Sequence, residues 1–203
     1  MSAQPVVRIG IVAVVALVAA PVMIVAQTPA QPDYRRVESQ RGAELSLFGG
    51  AAAAGTGAGP SLGWSLGWRP TERVAIEGSG SWTEDPEVEG FAAMIGPRFY
   101  LNPTGRTAIF ISAEAGLFHA SVDPANSSVP AFYADRMRGV PVEKAFNDFV
   151  AAGGGGLDVR LRGRLWLRPQ ARLLFIVDGW TTNMVALFGA HISYRFTEPS
   201  STP

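Results

Sequence analysis

The sequence predicts an all-β chain, an eight-stranded antiparallel up-and-down transmembrane β-barrel. Three observations predict it. From Ala43 onward, apolar and polar residues alternate with period two in eight successive runs. Every second connection between those runs is a tight turn. The minority face of most runs carries charge, whereas the majority face is aliphatic and aromatic. Successive side chains of a strand point to opposite faces, so a strand between lipid and a polar lumen reads in this way.

The first run is short, Glu44–Gly49, with Leu45 and Leu47 outward. In the second, Leu62, Trp64, Leu66 and Trp68 alternate with serine and glycine; in the third, Val74, Ile76 and Trp82 alternate with Glu77, Ser79 and Ser81. Phe91, Ile95 and Phe99 lie opposite Arg98 in the fourth, and Ile109, Ile111 and Leu117 opposite Glu114 in the fifth. The sixth sets Phe149, Leu157, Val159 and Leu161 against Asp158 and Arg160. The seventh sets Leu165, Leu167, Leu173 and Phe175 against Arg168 and Arg172. In the last, Phe188, Ile192, Tyr194 and Phe196 alternate with His191 and Arg195.

The connections predict the topology. Arg69–Arg73, Asn102–Arg106 and the stretch around Gly163 hold turn-forming residues. The intervening connections, about Gly50–Pro60, Thr83–Glu89, Ser121–Asp148 and Asp178–Asn183, read as longer or looser. Short turns at one end and longer loops at the other mark an outer-membrane barrel, and an even strand count returns both termini to the short-turn, periplasmic side.

Residues 1–26 read as a secretory signal peptide. Arg8 precedes an uncharged stretch, Ile9–Ala26, and a cut after Ala26 would leave Gln27 first. A retained anchor is the alternative, since the 18 residues of that stretch approach the roughly 20 needed to span. Pro21 and the small Ala26 favour cleavage. Residues 27–42 follow as a flexible periplasmic lead-in, 43–196 as the barrel and 197–203 as a short tail.

Composition narrows the function classes. The 203 residues suffice for one domain, and at 47% apolar with 17% charged the chain is neither disordered nor built for nucleic acid. Removing Arg8 from the 17 basic residues leaves 16 against 17 acidic ones, so no strong field steers polyanions to it. Cysteine is absent, which excludes disulfides, thiol catalysis, Cys-based zinc sites and an N-terminal lipoprotein anchor.

A soluble barrel would bury the apolar face. Eight strands enclose too narrow a space for Leu62, Trp64, Leu66 and Trp68 on one strand with Phe175-sized neighbours. The other face is rich in glycine, serine and alanine, which suit a narrow lumen. Aromatics gather near the run ends, Trp68, Phe99 and Tyr194 on the turn side and Trp82, Phe91 and Trp180 on the loop side, as two interfacial girdles require. The apolar face is therefore expected to meet lipid.

Inward charges must then be paired, because an isolated buried charge costs several kcal/mol. Glu77, Glu114 and Asp158 are expected to neutralise Arg98, Arg168 and Arg172 and so to plug the lumen. Centring the last tight hairpin on Gly163 sets Asp158 across from Arg168, and the loop near Glu87 lets Glu77 reach Arg98.

The closing run Ile192-x-Tyr194-x-Phe196 resembles the C-terminal signature of outer-membrane barrels, with Thr197–Pro203 following as a departure. Together with Leu45–Gly50 and the hairpin Ser61–Trp82, the stretch from Ala43 to Phe196 resembles the small OmpA/OmpX-like outer-membrane barrel family. The resemblance implies assembly by the barrel-assembly machinery, with Ile192, Tyr194 and Phe196 as its signal. It implies location in the cell outer membrane among phospholipid and lipopolysaccharide.

Other motifs point more weakly to chemistry. His119-Ala-Ser121 and His191-Ile-Ser193 each place a histidine and a serine on one strand face, within reach for nucleophile activation. They resemble the pair of PagL-type lipid-A deacylases. The strand-eight pair faces the lumen by parity, and the other falls where strand gives way to loop, so a lumen histidine and a loop histidine are expected. Gly153–Gly156 lacks the Lys-Ser/Thr of a phosphate loop and reads as strand glycine that permits close packing. Gly49–Gly59 reads as a mobile loop by composition. Glu84, Asp85, Glu87 and Glu89 read as a solvated loop tip rather than a divalent-cation site. The loop Ser121–Asp148, with Phe132, Tyr133, Arg136, Met137 and Arg138, is the expected place for extracellular protein contact.

The expectation is a non-enzymatic outer-membrane barrel with a structural, envelope-stabilising or surface-interaction role, without cofactor or metal. A lipid-modifying outer-membrane enzyme and a narrow pore are the alternatives.

Overall fold

The structure is a computed structural model, which describes residues 41–55, 57–84, 88–103, 106–122, 131–138, 144–178 and 181–197. The chain divides into Met1–Val37, outside the described residues, and Glu38–Pro203, which holds the barrel. The signal segment, most of the lead-in, Asp85, Glu87, Trp180 and 198–203 therefore lie outside the description.

Eight antiparallel strands close in sequence order into one barrel. They are β1 (Gly42–Ala53), β2 (Ala58–Arg69), β3 (Val74–Glu84), β4 (Val88–Tyr100), β5 (Thr107–Val122), β6 (Lys144–Arg162), β7 (Leu165–Asp178) and β8 (Thr181–Thr197). The seam is β1 against β8, running from Gly42↔Thr197 to Ala53↔Ala186. Closure pairs every strand on both edges, the condition for a sheet in lipid. Among the described residues no helix is long and apolar enough to cross a membrane.

The faces are sorted as alternation requires. Leu62, Leu66, Ile95, Leu117, Phe149 and Ile192 are exposed on the outside. Glu44, Glu77, Arg98, Glu114, Asp158, Arg168, Arg172 and Arg195 are buried within. An apolar skin around a charged interior inverts a soluble protein, and lipid is the solvent it fits. The hairpin β6–β7 turns at Gly163, whose φ of 55° is the left-handed region that favours glycine. Its ladder, from Phe149↔Val177 to Val159↔Leu167, is centred on that residue. At Gly154 and Gly156, added Cβ atoms would lie 2.4 Å from the Ala171 carbonyl oxygen and 2.2 Å from that of Pro169. Glycine lets β7 approach β6 that closely.

The loop end departs from expectation. Only β5–β6 has a long connection; residues 54–57, 85–87 and 179–180 join the other pairs. Gly49–Gly59 is largely strand, with Ala51↔Pro60 and Ala53↔Ala58 in the ladder. Small residues show no alternation, yet backbone pairing is indifferent to side chains. Likewise His119–Val122 and Lys144–Asp148 extend β5 and β6, ending at Val122↔Lys144. Here polarity inverts. Phe118, Val122 and Phe146 are buried inside, while His119 and Asn147 face outward. A tilted strand spans with about 9–11 residues, so the 19 residues of β6 carry the wall above the apolar band.

Candidate functional site

The lumen is the candidate site, and it is filled in two different ways. In its turn-side half, three acids and three arginines form one connected cluster. Arg168 lies at its centre, with Nε 2.7 Å from Asp158 Oδ1 and Nη1 3.1 Å from Glu77 Oε2, and it also pairs with Glu44. Arg98 pairs with Glu77 and reaches Glu44 at 3.3 Å. Arg195 donates to Glu44 Oε2 at 2.6 Å and pairs with Asp158. The Tyr100 hydroxyl accepts from Arg98 Nη1 at 2.9 Å and donates to Asp158 Oδ2 at 2.8 Å. The cluster joins β1, β3, β4, β6, β7 and β8 across the barrel axis. Aromatic faces line it, with the Arg195 guanidinium 3.9 Å above the Trp166 ring and that of Arg69 3.7 Å above Tyr100.

A second pair sits beside it. Arg172 Nη1 lies 3.1 Å from Glu114 Oε2, which also accepts from the Ser79 hydroxyl at 2.8 Å. His191 is buried next to Phe48, ring centroids 4.9 Å apart. Its neighbour Ser193 bonds to Ser46 at 2.8 Å, inside the barrel and away from lipid.

The loop-side half is apolar. Met94, Phe118, Val150, Leu174, Ile176 and Leu187 form its walls. Its stopper comes from the β5–β6 connection, where one helical turn, α1 (Ala131–Ala134), runs into a 3-10 turn over Asp135–Met137. Tyr133 and Met137 are buried against the walls, with the Tyr133 ring 5.4 Å from that of Phe146. Arg136 clamps the turn to the barrel. Its Nη1 and Nη2 hold the two oxygens of Asp148 at 2.8 and 3.0 Å, and its Nε lies 3.1 Å from Asp178. It also lies over Phe146 at 4.2 Å. Hydrogen bonding to Asp148 raises the affinity of Arg136 for its proton. Burial pushes the Tyr133 hydroxyl above the usual tyrosine range.

The structure thus brings together Glu77 with Arg98, Asp158 with Arg168 and Glu114 with Arg172. Glu77 and Asp158 share one cluster through Arg168, whereas Glu114 and Arg172 pair apart from it. Sequence reasoning left out Glu44, Tyr100 and Arg195 as members. Parity was the available signal, since placing Leu45 and Leu47 outward turns Glu44 inward. Ile192, Tyr194 and Phe196 are exposed on β8, where Tyr194 stands against Leu45 and Phe196 against Ala43 at the closing seam. His119 and Ser121 lie on the outer face of β5, on the strand and not in a loop, and His119 Nδ1 is 2.9 Å from Asn147 Oδ1. Of the loop residues, Tyr133 and Met137 face inward, while Arg138 is exposed and pairs with Asp135 at 2.8 Å. Among the described residues no group of three or more metal-ligating side chains converges.

No protein-family model and no curated protein matches the chain. Its fold has solved counterparts. The structure is similar to Neisserial surface protein A, with a TM-score of 0.57 at 13% identity, covering 78% of this chain and 98% of that one. It is also similar to the N-terminal β-barrel domain of OprF from Pseudomonas aeruginosa, with a TM-score of 0.53 at 16% identity, covering 77% of this chain and 99% of that one. Closed on itself, apolar outside and ion-paired within, the chain is a small eight-stranded antiparallel β-barrel, the fold of these two surface and outer-membrane proteins.

Proposed function

We propose that this barrel serves as a closed, non-enzymatic element of the outer membrane, with a structural, envelope-stabilising or surface-contact role. One observation carries the reading: the lumen is filled along its length, by paired charges on the turn side and by an apolar stopper on the loop side. Eight strands enclose a space that side chains can just fill. Its partners on this reading are outer-membrane phospholipid and lipopolysaccharide. Ile192, Tyr194 and Phe196 serve as the signal to the barrel-assembly machinery, and the loop Ser121–Asp148 offers Arg138 and Asp135 for extracellular protein contact.

The test is conductance. The purified full-length chain in a planar lipid bilayer should carry no steady current above the bare membrane. Reproducible unitary currents would establish a pore instead. A lipid-acting enzyme is the second reading, favoured by the shared outer face of His119 and Ser121 on β5. Lipid A from cells expressing the chain should have the same mass spectrum as lipid A from cells carrying His119→Ala. A loss of one acyl chain that disappears in the variant would overturn the non-enzymatic reading.

A further inference from the structure

The two ends of the barrel differ in charge. At the turn end, Arg41 precedes β1, Arg73 follows the first turn, Arg106 lies in the second, and Arg162 and Arg164 flank the third. All five are exposed. Among the described residues outside the lumen, Glu72 is the single acid at this end. Counted in the same way, the loop end has a slight opposite bias, with Glu84, Glu89, Asp135 and Asp178 against Arg136, Arg138 and Lys144.

The arginines stand at a definite depth. Immediately inward of them, Trp68, Phe99, Tyr194 and Phe196 are exposed on the outer wall as the turn-side aromatic girdle. Arg164 Nη1 reaches the Tyr194 hydroxyl at 3.4 Å, so the guanidinium lies at the level of the girdle. Girdle aromatics mark the headgroup region. All five are arginines. Guanidinium binds phosphate oxygens in a bidentate fork, which ammonium cannot do.

We propose that this arginine collar binds the phosphate headgroups of acidic phospholipids in the turn-side leaflet. The proposal rests on the membrane-barrel reading and adds to it a lipid preference and a fixed orientation. Distribution over all three turns and the chain entry favours a lipid annulus. A single anionic polymer, such as the cell-wall glycan, would instead be gripped by arginines converging on one side.

The test refolds the whole chain into phosphatidylcholine vesicles containing a minor share of phosphatidylglycerol, with brominated acyl chains on one lipid or the other. Bromine quenches tryptophan at contact, and Trp68 lies in the girdle beside the collar. Phosphatidylglycerol should quench beyond its share of the bilayer, and added salt should reduce the excess. Arg73→Gln, Arg106→Gln and Arg162→Gln together should lower that preference by at least about fivefold, the attraction of one arginine to an anionic surface. Quenching in proportion to lipid share, or an unchanged preference in the triple variant, overturns the collar. So does arginine-dependent cosedimentation with purified cell-wall sacculi in the absence of any lipid preference. Folding itself is read by the heat-sensitive gel shift in phosphatidylcholine alone. A chain that never shifts refutes the barrel and the collar with it, whereas a shift without lipid preference refutes the collar only.

Discussion

The turn-side and loop-side halves of the lumen solve the same problem with opposite chemistry. Below, six charges and a tyrosine occupy the interior, each charge held by at least two partners. Above, aliphatic and aromatic walls close around a single helical turn. The ionic half is directional, because every carboxylate must meet its guanidinium, and that fixes the strands on which they sit. The apolar half is non-directional, so it can accept a segment supplied by a loop. One half is part of the wall, and the other is a wall closed by a segment of the β5–β6 connection.

The largest effect expected from breaking this contrast is in the ionic half. Asp158→Ala leaves Arg168 and Arg195 without one partner each and should cost roughly 3–5 kcal/mol, as removal of one member of a buried pair does. Adding Arg168→Ala restores the balance, since Glu44 and Glu77 then face Arg98 and Arg195. The double variant should therefore be more stable than the two single losses summed. Reversible urea unfolding in lipid measures the cycle, and a coupling energy of zero would mean that the cluster is a set of independent contacts.

The outer wall should be blind to the difference. Leu66→Arg and Leu173→Arg each put a charge in lipid and should cost about 2–4 kcal/mol near the midplane. Leu66 flanks the ionic half, and Leu173 lies beside Arg172 at the boundary with the apolar half. Similar costs at both sites in the same unfolding experiment would separate the wall from its filling. Neutral effects at both would mean that the apolar face does not meet lipid.

A smaller and more local effect is expected at the clamp. Arg136→Ala removes the two bonds to Asp148, the pair with Asp178 and the stacking on Phe146. With the side chain partly solvated, the loss should be about 1–2 kcal/mol. It should appear as faster amide hydrogen exchange and protease cleavage within α1, with the barrel strands unchanged. Equal loosening of β6 and β7 would show that stopper and wall unfold as one unit.

The two halves also differed in legibility. The ionic half follows from parity and one hairpin centre. Gly163 sets the β6–β7 register, and the register sets Asp158 across from Arg168. Even Glu44, left out, was encoded by the outward Leu45 and Leu47. The apolar half was not legible, because its signal is split. The walls above the membrane have polar residues outside, which erases the contrast that defines a lipid-facing strand, so Lys144–Asp148 read as loop. At Gly49–Ala53 small residues remove the contrast altogether. The stopper is harder still: Tyr133 and Met137 look like surface anchors in sequence and become interior only because a barrel mouth of the right chemistry lies beneath them. Alternation reports what solvent a face meets, and a loop that folds into its own barrel has no alternation to report.

Tyr133 offers the finest test of the apolar half. Its ring is buried between Phe132 and Phe146, yet its hydroxyl has no hydrogen-bond partner among the described residues. A buried unsatisfied hydroxyl costs about 1–3 kcal/mol relative to a satisfied one, so Tyr133→Phe should tighten the stopper by about 1 kcal/mol while leaving its packing intact. The pH dependence has a defined sign. Burial raises the folded-state affinity for the phenolic proton, and Asp148 adds in the same direction. The neutral tyrosine therefore contributes stability that is fully present below about pH 10, the unfolded value, and is lost as pH rises above it. Hydrogen exchange at α1, followed from neutral to alkaline pH by comparison with an unstructured peptide reference, should show the native stopper loosening and the phenylalanine variant holding. If Tyr133→Phe instead loosens the turn at neutral pH, the hydroxyl has a partner, and the loop-side half is less purely apolar than its walls suggest.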